Sequence, residues 1–270
     1  MTEDHIFSKG LTVPGQKIIK EIIGRVNEGK RSRGTKIAQN GLAMRTLCDK
    51  CNNDLLGQKL DPYLIGLCKE VDLFLRNKHL LPSQFIDVRD VQLNKVVRAV
   101  AGHILASDDM PQARSKVSRI LRRFFFEENG VLPNSINLFI WLYPFREQVI
   151  LRDVFLVDFS RSQSIMWTSA YKTYPLGFAV CENINNFEVS VRGLLDIRPS
   201  LTGRINQSFQ VRLPVRCMVP PLWPEAPSRN GAVMSGDSTS LSTKPYMNKK
   251  STLTDLNFFN CIFYQGWEGG

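Results

Sequence analysis

The sequence predicts an α+β protein, with helices through residues 61–129 and short strands through 130–227. One sign is helical spacing: Leu93, Val96, Val97, Val100 and Ile104 recur at i, i+3, i+4 and i+7, the period of one helix face. Another is a change of texture after Gly130, where short apolar or alternating runs are separated by Pro, Gly, Asn and Ser, as in antiparallel sheet. Composition agrees: 43% hydrophobic and 22% charged residues in a chain of 270 suffice for one large domain or two modest ones.

Taken in order, residues 1–60 are rich in Gly, Lys, Arg and Asn, and only "QKIIKEIIG" (16–24) reads as helical there. The run "DPYLIGLCKEVDLFLRNK" opens the helical middle, with Asp61 as candidate N-cap and Pro62 at the first helical position. "VQLNKVVRAVAGHILA" supplies the second helix. "SDDMPQARSKVSRILRRFFFEENG" supplies the third, with Ser107, Asp108 and Asp109 as an acidic start and Gly130 as a stop. In it Ala113, Val117, Ile120, Leu121 and Phe124 form an apolar stripe, while Arg114, Lys116, Arg119, Arg122 and Arg123 lie elsewhere. The strand candidates are "NLFIWLY", "QVILRDVFLVDF", "QSIMWTSA", "LGFAVCE", "FEVSVRGLL" and "FQVRLPVRCMV". Residues 228–256 are Ser/Thr/Gly-rich and read as a flexible linker, and 257–270 as an aromatic segment docked on the body. No internal repeat is visible.

Charge narrows the partners. Thirty-five Lys and Arg face twenty-five acids, a net charge of +10, which attracts polyanions such as nucleic acid or an anionic membrane. Plain solubility is the alternative. No apolar run approaches the roughly 20 residues that span a bilayer, so no membrane insertion is expected. The N-terminus lacks a secretory pattern, and of six cysteines only Cys48 and Cys51 are close in sequence, which points to a reducing, cytoplasmic setting.

The distinctive residues fall in two stretches, "TEDHIFSKGL" (2–11) and "LCDKCNNDLLG" (47–57). An Asp-His pair alone is usually a solvated surface pair, and Cys-x-x-Cys alone signals metal or redox chemistry. In this order the stretches resemble the HNH endonuclease family, whose ββα-metal site sits on a hairpin and one helix. The resemblance covers about residues 2–57 and implies an N-terminal HNH-like module over 1–60, ahead of the helical middle and a β-rich C-terminal domain. It implies His5 as the general base, with Asp4 and Asn52 as ligands of Mg²⁺ or another divalent cation. The chemistry suits those roles. A neutral imidazole can take a proton from water at cellular pH, and a hard cation on few protein oxygens stabilises charge on a phosphodiester. Successive strand residues face opposite ways, so Asp4 and His5 need a local distortion or opposite sides of the scissile phosphate.

The chain departs from the family pattern in places. The family often carries a structural zinc between two Cys-x-x-Cys knuckles; only one is here, as Cys48 and Cys51, and four residues precede His5. Either the start is truncated, or the zinc site is completed by other ligands, or there is no zinc. The family's middle Asn corresponds to Ala43, with Asn40 the nearest candidate. The 43-residue step from His5 to Cys48 is long for a hairpin, and its excess is basic: Lys17, Lys20, Arg25, Lys30, Arg31, Arg33 and Lys36. Of these, Lys30, Arg31 and Arg33 are candidate phosphate contacts, as are Arg119 and Arg123 of the third helix. Those helical arginines also fit a merely solvated face. "GRVNEGKR" (24–31) nearly spells a phosphate-binding loop, but Arg31 stands where a hydroxyl belongs and no strand is expected before it. His79 and His103 show no ligand partners in the sequence and read as structural. The implied function is a metal-dependent endonuclease acting on DNA, of the kind used in phage defence, restriction or mobile elements. The alternative is a non-catalytic nucleic-acid-binding protein with a decayed HNH module.

Overall fold

The computed structural model describes residues 4–22, 36–39, 41–77, 84–107, 115–158, 164–182, 193–201, 204–215, 219–225, 232–235 and 240–246. It is α+β. The elements run β1 (Asp4–His5), β2 (Gln16–Glu21), β3 (Lys36–Gln39), β4 (Ala43–Met44), α1 (Asp61–Arg76), β5 (Phe85–Val91), α2 (Leu93–Ala106) and α3 (Lys116–Phe126). Then come β6 (Ile136–Leu142), β7 (Gln148–Asp158), β8 (Ser164–Thr173), β9 (Leu176–Glu182), β10 (Leu195–Asp196), β11 (Phe209–Pro214), β12 (Ala232–Ser235) and β13 (Leu241–Pro245).

Nine strands form one antiparallel sheet in the order β10-β6-β9-β8-β7-β13-β2-β3, with β12 also on β7. β7 is long enough for two partners along one edge: β13 pairs its first half and β12 its second. Between them the ladder bulges at Arg152 and Asp153, and Asp153 takes φ +47°, a left-handed conformation that Asp tolerates better than most residues. β5 and β11 make a separate antiparallel pair, and β1 and β4 another.

Apolar residues cover the sheet on both faces, so its strands read as near-continuous hydrophobic runs. Every residue of β9 is buried. One face, with Leu138, Ile140, Ile150, Tyr171 and Phe178, packs under the helices. The other carries Trp141, Leu151, Leu156 and Met166 and is covered by Val219 and Trp223. Lys172 pins that cover: its buried ammonium donates to the carbonyls of Pro221 (3.0 Å) and Trp223 (3.3 Å) and pairs with Glu225. Burial pulls the Lys172 pKa below its ordinary value, and the Glu225 carboxylate pulls against that shift.

Several expectations change. "QKIIKE" (16–21) is strand β2, not helix; its isoleucines favour an extended chain, and β13 supplies the ladder partner. Residues 61–129 are not wholly helical, because β5 lies between α1 and α2. The third helix is capped by Ser115, whose hydroxyl accepts from the Ser118 N–H at 3.1 Å; Ser107 ends α2 instead. Asp61 is no N-cap, since helical residues run straight into α1. The stretch 228–256, expected as a linker, contributes β12 and β13. Its hydroxyls are tolerated in the sheet because they are bonded: Ser240 Oγ accepts from the Arg152 N–H, and the Thr243 hydroxyl donates to Gln148 Oε1. Residues 257–270 lie outside the described residues.

A Cβ on Gly177 would stand 2.3 Å from the Trp141 indole, so Trp141 lies on a position open only to glycine. Gly177→Ala is expected to destabilise the fold by about 1–3 kcal/mol. Gly66→Ala in α1, where a Cβ meets nothing within 4 Å, is expected to raise stability by about 0.5–1 kcal/mol. Urea denaturation of the two variants checks both signs.

Candidate functional site

The two distinctive stretches come together through backbone pairing. β1 pairs β4 with Asp4 opposite Met44 and His5 opposite Ala43, and the Ile6 N–H donates to the Leu42 carbonyl at 3.0 Å. Helical structure begins at Asp49, so Cys48 stands at its entrance and Asn52 in its first turn, its N–H bonded to the Cys48 carbonyl at 2.9 Å. The local order is strand, strand, helix.

The long step between His5 and Cys48 has a structural explanation. β2 and β3 form an antiparallel pair that leaves the β1–β4 hairpin and joins the large sheet beside β13. The extra residues therefore extend the sheet and leave the hairpin compact. Lys17 is buried in β2, and burial followed by repulsion from Arg146 pulls its pKa down, so it is no phosphate contact. Lys20 and Lys36 are exposed. Lys30, Arg31 and Arg33, like Asn40, His79 and the "GRVNEGKR" motif, lie outside the described residues. β2 does supply a strand before that motif, but the next described element is the antiparallel β3, whereas a phosphate-binding loop runs from strand into helix.

From Lys50 to Leu60 the helix is wound as a π-helix, with the Asp61 N–H bonded to the Leu56 carbonyl five residues back, and it passes unbroken into α1. Wide turns of this kind concentrate at functional sites. Asn53 Nδ2 donates to Asp49 Oδ1 at 2.6 Å across the first turn. Cys48 is exposed, Cys51 half-buried, and their Sγ atoms stand 3.0 Å apart as free thiols. The bond from Cys51 holds the Cys48 thiol below its ordinary pKa. Burial, then the bond to Cys48, push Cys51 up to about 11, against the opposing charge of Arg122.

Two sulfurs on one tetrahedral zinc stand roughly 3.8 Å apart and need two further ligands. Among the described residues no group of three His, Cys, Asp or Glu side chains could hold a metal ion. The described residues do not complete a closed zinc site. For a hard cation the donors would be Asp4 and Asn52, both oxygen ligands of the type Mg²⁺ prefers. Ala43, directly across from His5, carries no polar side chain.

Under the hairpin lies a buried polar cluster. His103 Nε2 meets Asp61 Oδ1 at 2.8 Å, the His103 ring stacks on Tyr171 at 5.2 Å, and the Tyr171 ring also packs on Phe7 at 5.3 Å. The Tyr171 hydroxyl accepts from the Ser8 N–H at 3.3 Å. Three residues after His5, the chain is thus tied to the centre of the sheet. His103 is structural, as expected, but it has a partner; Asp61 lies 42 residues away, and only the packing of α1 on α2 brings the two together.

Arg119 and Arg123 lie on the outer face of α3, and Arg123 pairs with Glu127 at 3.0 Å. Arg122 is the residue of this group with a direct electrostatic link to the Cys48–Asn52 turn. Its place next to Arg123 in a helix was legible; its neighbour across the fold was not.

No family model, curated protein or solved structure matches the chain. No described helix is long and apolar enough to cross a membrane.

The thiolate is the form that alkylates, so limiting iodoacetamide near neutral pH is expected to modify Cys48 before Cys51. Cys68 and Cys181 are buried, with thiols pushed up by desolvation, and are expected to react only on unfolding. Peptide mass mapping of the quenched reaction reads the order.

Proposed function

We propose that the chain is an HNH-like, metal-dependent endonuclease that hydrolyses DNA phosphodiester bonds. The pairing of β1 with β4, leading directly into the helix that starts at Cys48–Asn52, supports this reading, because it is the strand-strand-helix order such a site uses. His5 takes the proton from the attacking water through a neutral imidazole. Asp4 and Asn52 are the residues that would hold the divalent cation, which would offset negative charge on the phosphate oxygens. The Phe7 and Ser8 contacts to Tyr171 support the strand end that carries His5. The partner is DNA, drawn by a net charge of +10, and the setting is cytoplasmic.

Two observations favour a second reading, a nucleic-acid-binding protein whose HNH module has decayed. Ala43 stands where a polar residue would orient His5, and the Cys48–Cys51 pair lacks the remaining zinc ligands among the described residues.

A plasmid-nicking assay with Mg²⁺ or Mn²⁺ separates the two. His5→Ala is expected to lower the nicking rate on the order of 10²–10⁴-fold while leaving DNA binding nearly intact. Equal nicking by the variant would end the assignment of His5. Binding without nicking by the unaltered chain would favour the decayed module.

A further inference from the structure

Helix α3 is anchored at both ends and on one side. At its start Asp153, from the bulge of β7, accepts from the hydroxyls of Ser115 and Ser118, the latter at 2.6 Å. Asp153 thus places a carboxylate at the positive end of the helix. At its finish the buried Arg98 of α2 donates to the carbonyls of Phe124, Glu128 (3.0 Å) and Gly130 (3.2 Å). Burial draws the Arg98 pKa down only to about 10, so it stays cationic at neutral pH where the helix ends in unsatisfied carbonyls. Between these anchors Val117, Leu121, Phe124 and Phe125 face the core.

The opposite face is fixed as a consequence. Arg119, Arg122, Arg123 and Phe126 follow the spacing i, i+3, i+4, i+7, and all are exposed. Phe126 is 42% exposed, and the Arg122 guanidinium lies over its ring at 5.3 Å. Arg123 is shared with Glu127; among the described residues no carboxylate pairs with Arg119 or Arg122. A solvated face would be expected to intersperse acids among its cations.

Helix α3, which bears this face, packs on the same part of α2 as the helix entered at Cys48. A Cβ on Gly102 of α2 would stand 2.6 Å from the Phe125 ring and 2.8 Å from Leu56, so α3 and the helix entered at Cys48 meet over one glycine.

We infer that the outer face of α3 is a phosphate-binding ridge for duplex DNA, in which Arg119, Arg122 and Arg123 lead the backbone onto the Cys48–Asn52 turn. The ridge rests on the nuclease reading only for its role in delivering substrate; its binding of DNA stands without cleavage. Arginine suits the task because its planar guanidinium bonds two phosphate oxygens at once.

The test is fluorescence anisotropy with a labelled duplex of arbitrary sequence, in EDTA so that nothing is cut, across a salt titration. The triple variant Arg119→Gln, Arg122→Gln, Arg123→Gln is compared with the unaltered chain. Each lost contact is expected to flatten the log–log salt slope by about 0.9, so the triple variant should lose about 2–3 in slope and on the order of 10²-fold in affinity near 0.1 M salt. The three substitutions are exposed, and an unchanged thermal melt verifies the fold. The matching Arg→Lys triple keeps the charge and should keep most of the slope. An unchanged slope in the folded Gln variant would overturn the ridge, whether or not the chain nicks plasmid. So would loss of binding to phosphatidylserine vesicles with DNA binding unaltered, which would assign the face to a membrane surface. Loss of DNA binding by the Gln variant of a chain that never nicks would sink the nuclease reading and leave the ridge standing.

Discussion

Helix α2 has almost no side that water reaches, and the rest of the molecule is arranged around that fact. From Leu93 to Ala106 every residue except Lys95 is buried. Its neighbours are α1, α3, the π-wound turn, the β1 strand and the β7 and β8 strands of the sheet. A helix so enclosed must be narrow in places, and Ala99, Ala101, Gly102 and Ala106 make it so. The charged and ionisable side chains that it carries into the interior, Arg98 and His103, are both bonded. Arg98 is 1% exposed, and an uncompensated cation at that depth would cost several kcal/mol. It donates instead to Asn94 Oδ1 and to three carbonyls beyond α2. His103 is held by Asp61. These bonds do more than offset burial. They fix where α1 begins and where α3 ends.

The sheet follows a similar logic on a larger scale. With apolar layers on both faces, a register slip by one residue would exchange the layer beneath the helices with the layer beneath Trp223. Trp141 lying on Gly177 and Lys172 bonded into the 219–225 segment mark the register on the outer layer. Tyr171 marks it on the inner one, since its ring meets both His103 and Phe7. The candidate hairpin is thus attached to the strand whose position is the most determined.

Elements with strong local periodicity were legible in the sequence. The apolar stripe of α3 (Val117, Leu121, Phe124) and the runs that became β6 through β9 needed no partner to be seen. What stayed hidden depended on partners distant in sequence. β2 is Ile-rich enough to read either way, and its ladders with β3 and with β13, more than 200 residues later, make it a strand. β5 pairs β11 from across the helices and the large sheet. β12 and β13 look like a linker by composition, and the hydroxyls of Ser240 and Thr243 are bonded to groups on β7 that composition does not reveal. Within the candidate site, Asp4, His5 and the Cys48–Asn52 turn were visible as motifs. The register that puts Ala43 against His5 was not, nor was the neighbour of Arg122, because both are set by packing over α2.

Gly102 shows how tightly the site and the ridge are coupled. Leu56 follows Asn52 by one turn of the helix entered at Cys48, and Phe125 precedes the exposed Phe126 on α3; both side chains fill the space that a side chain at position 102 would need. A close-packed interior transmits a displacement instead of absorbing it. Anything that pushes Phe125 outward also turns Arg122 and Phe126, and anything that pushes Leu56 turns the helix bearing Cys51 and Asn52. The two surfaces therefore keep a fixed spacing. The β2–β3 pair, spliced into the large sheet, holds the hairpin from its other side. The proposed catalytic strand is short and near the start of the chain, yet its position is set by the sheet, by α2 and by the chain's return through β4.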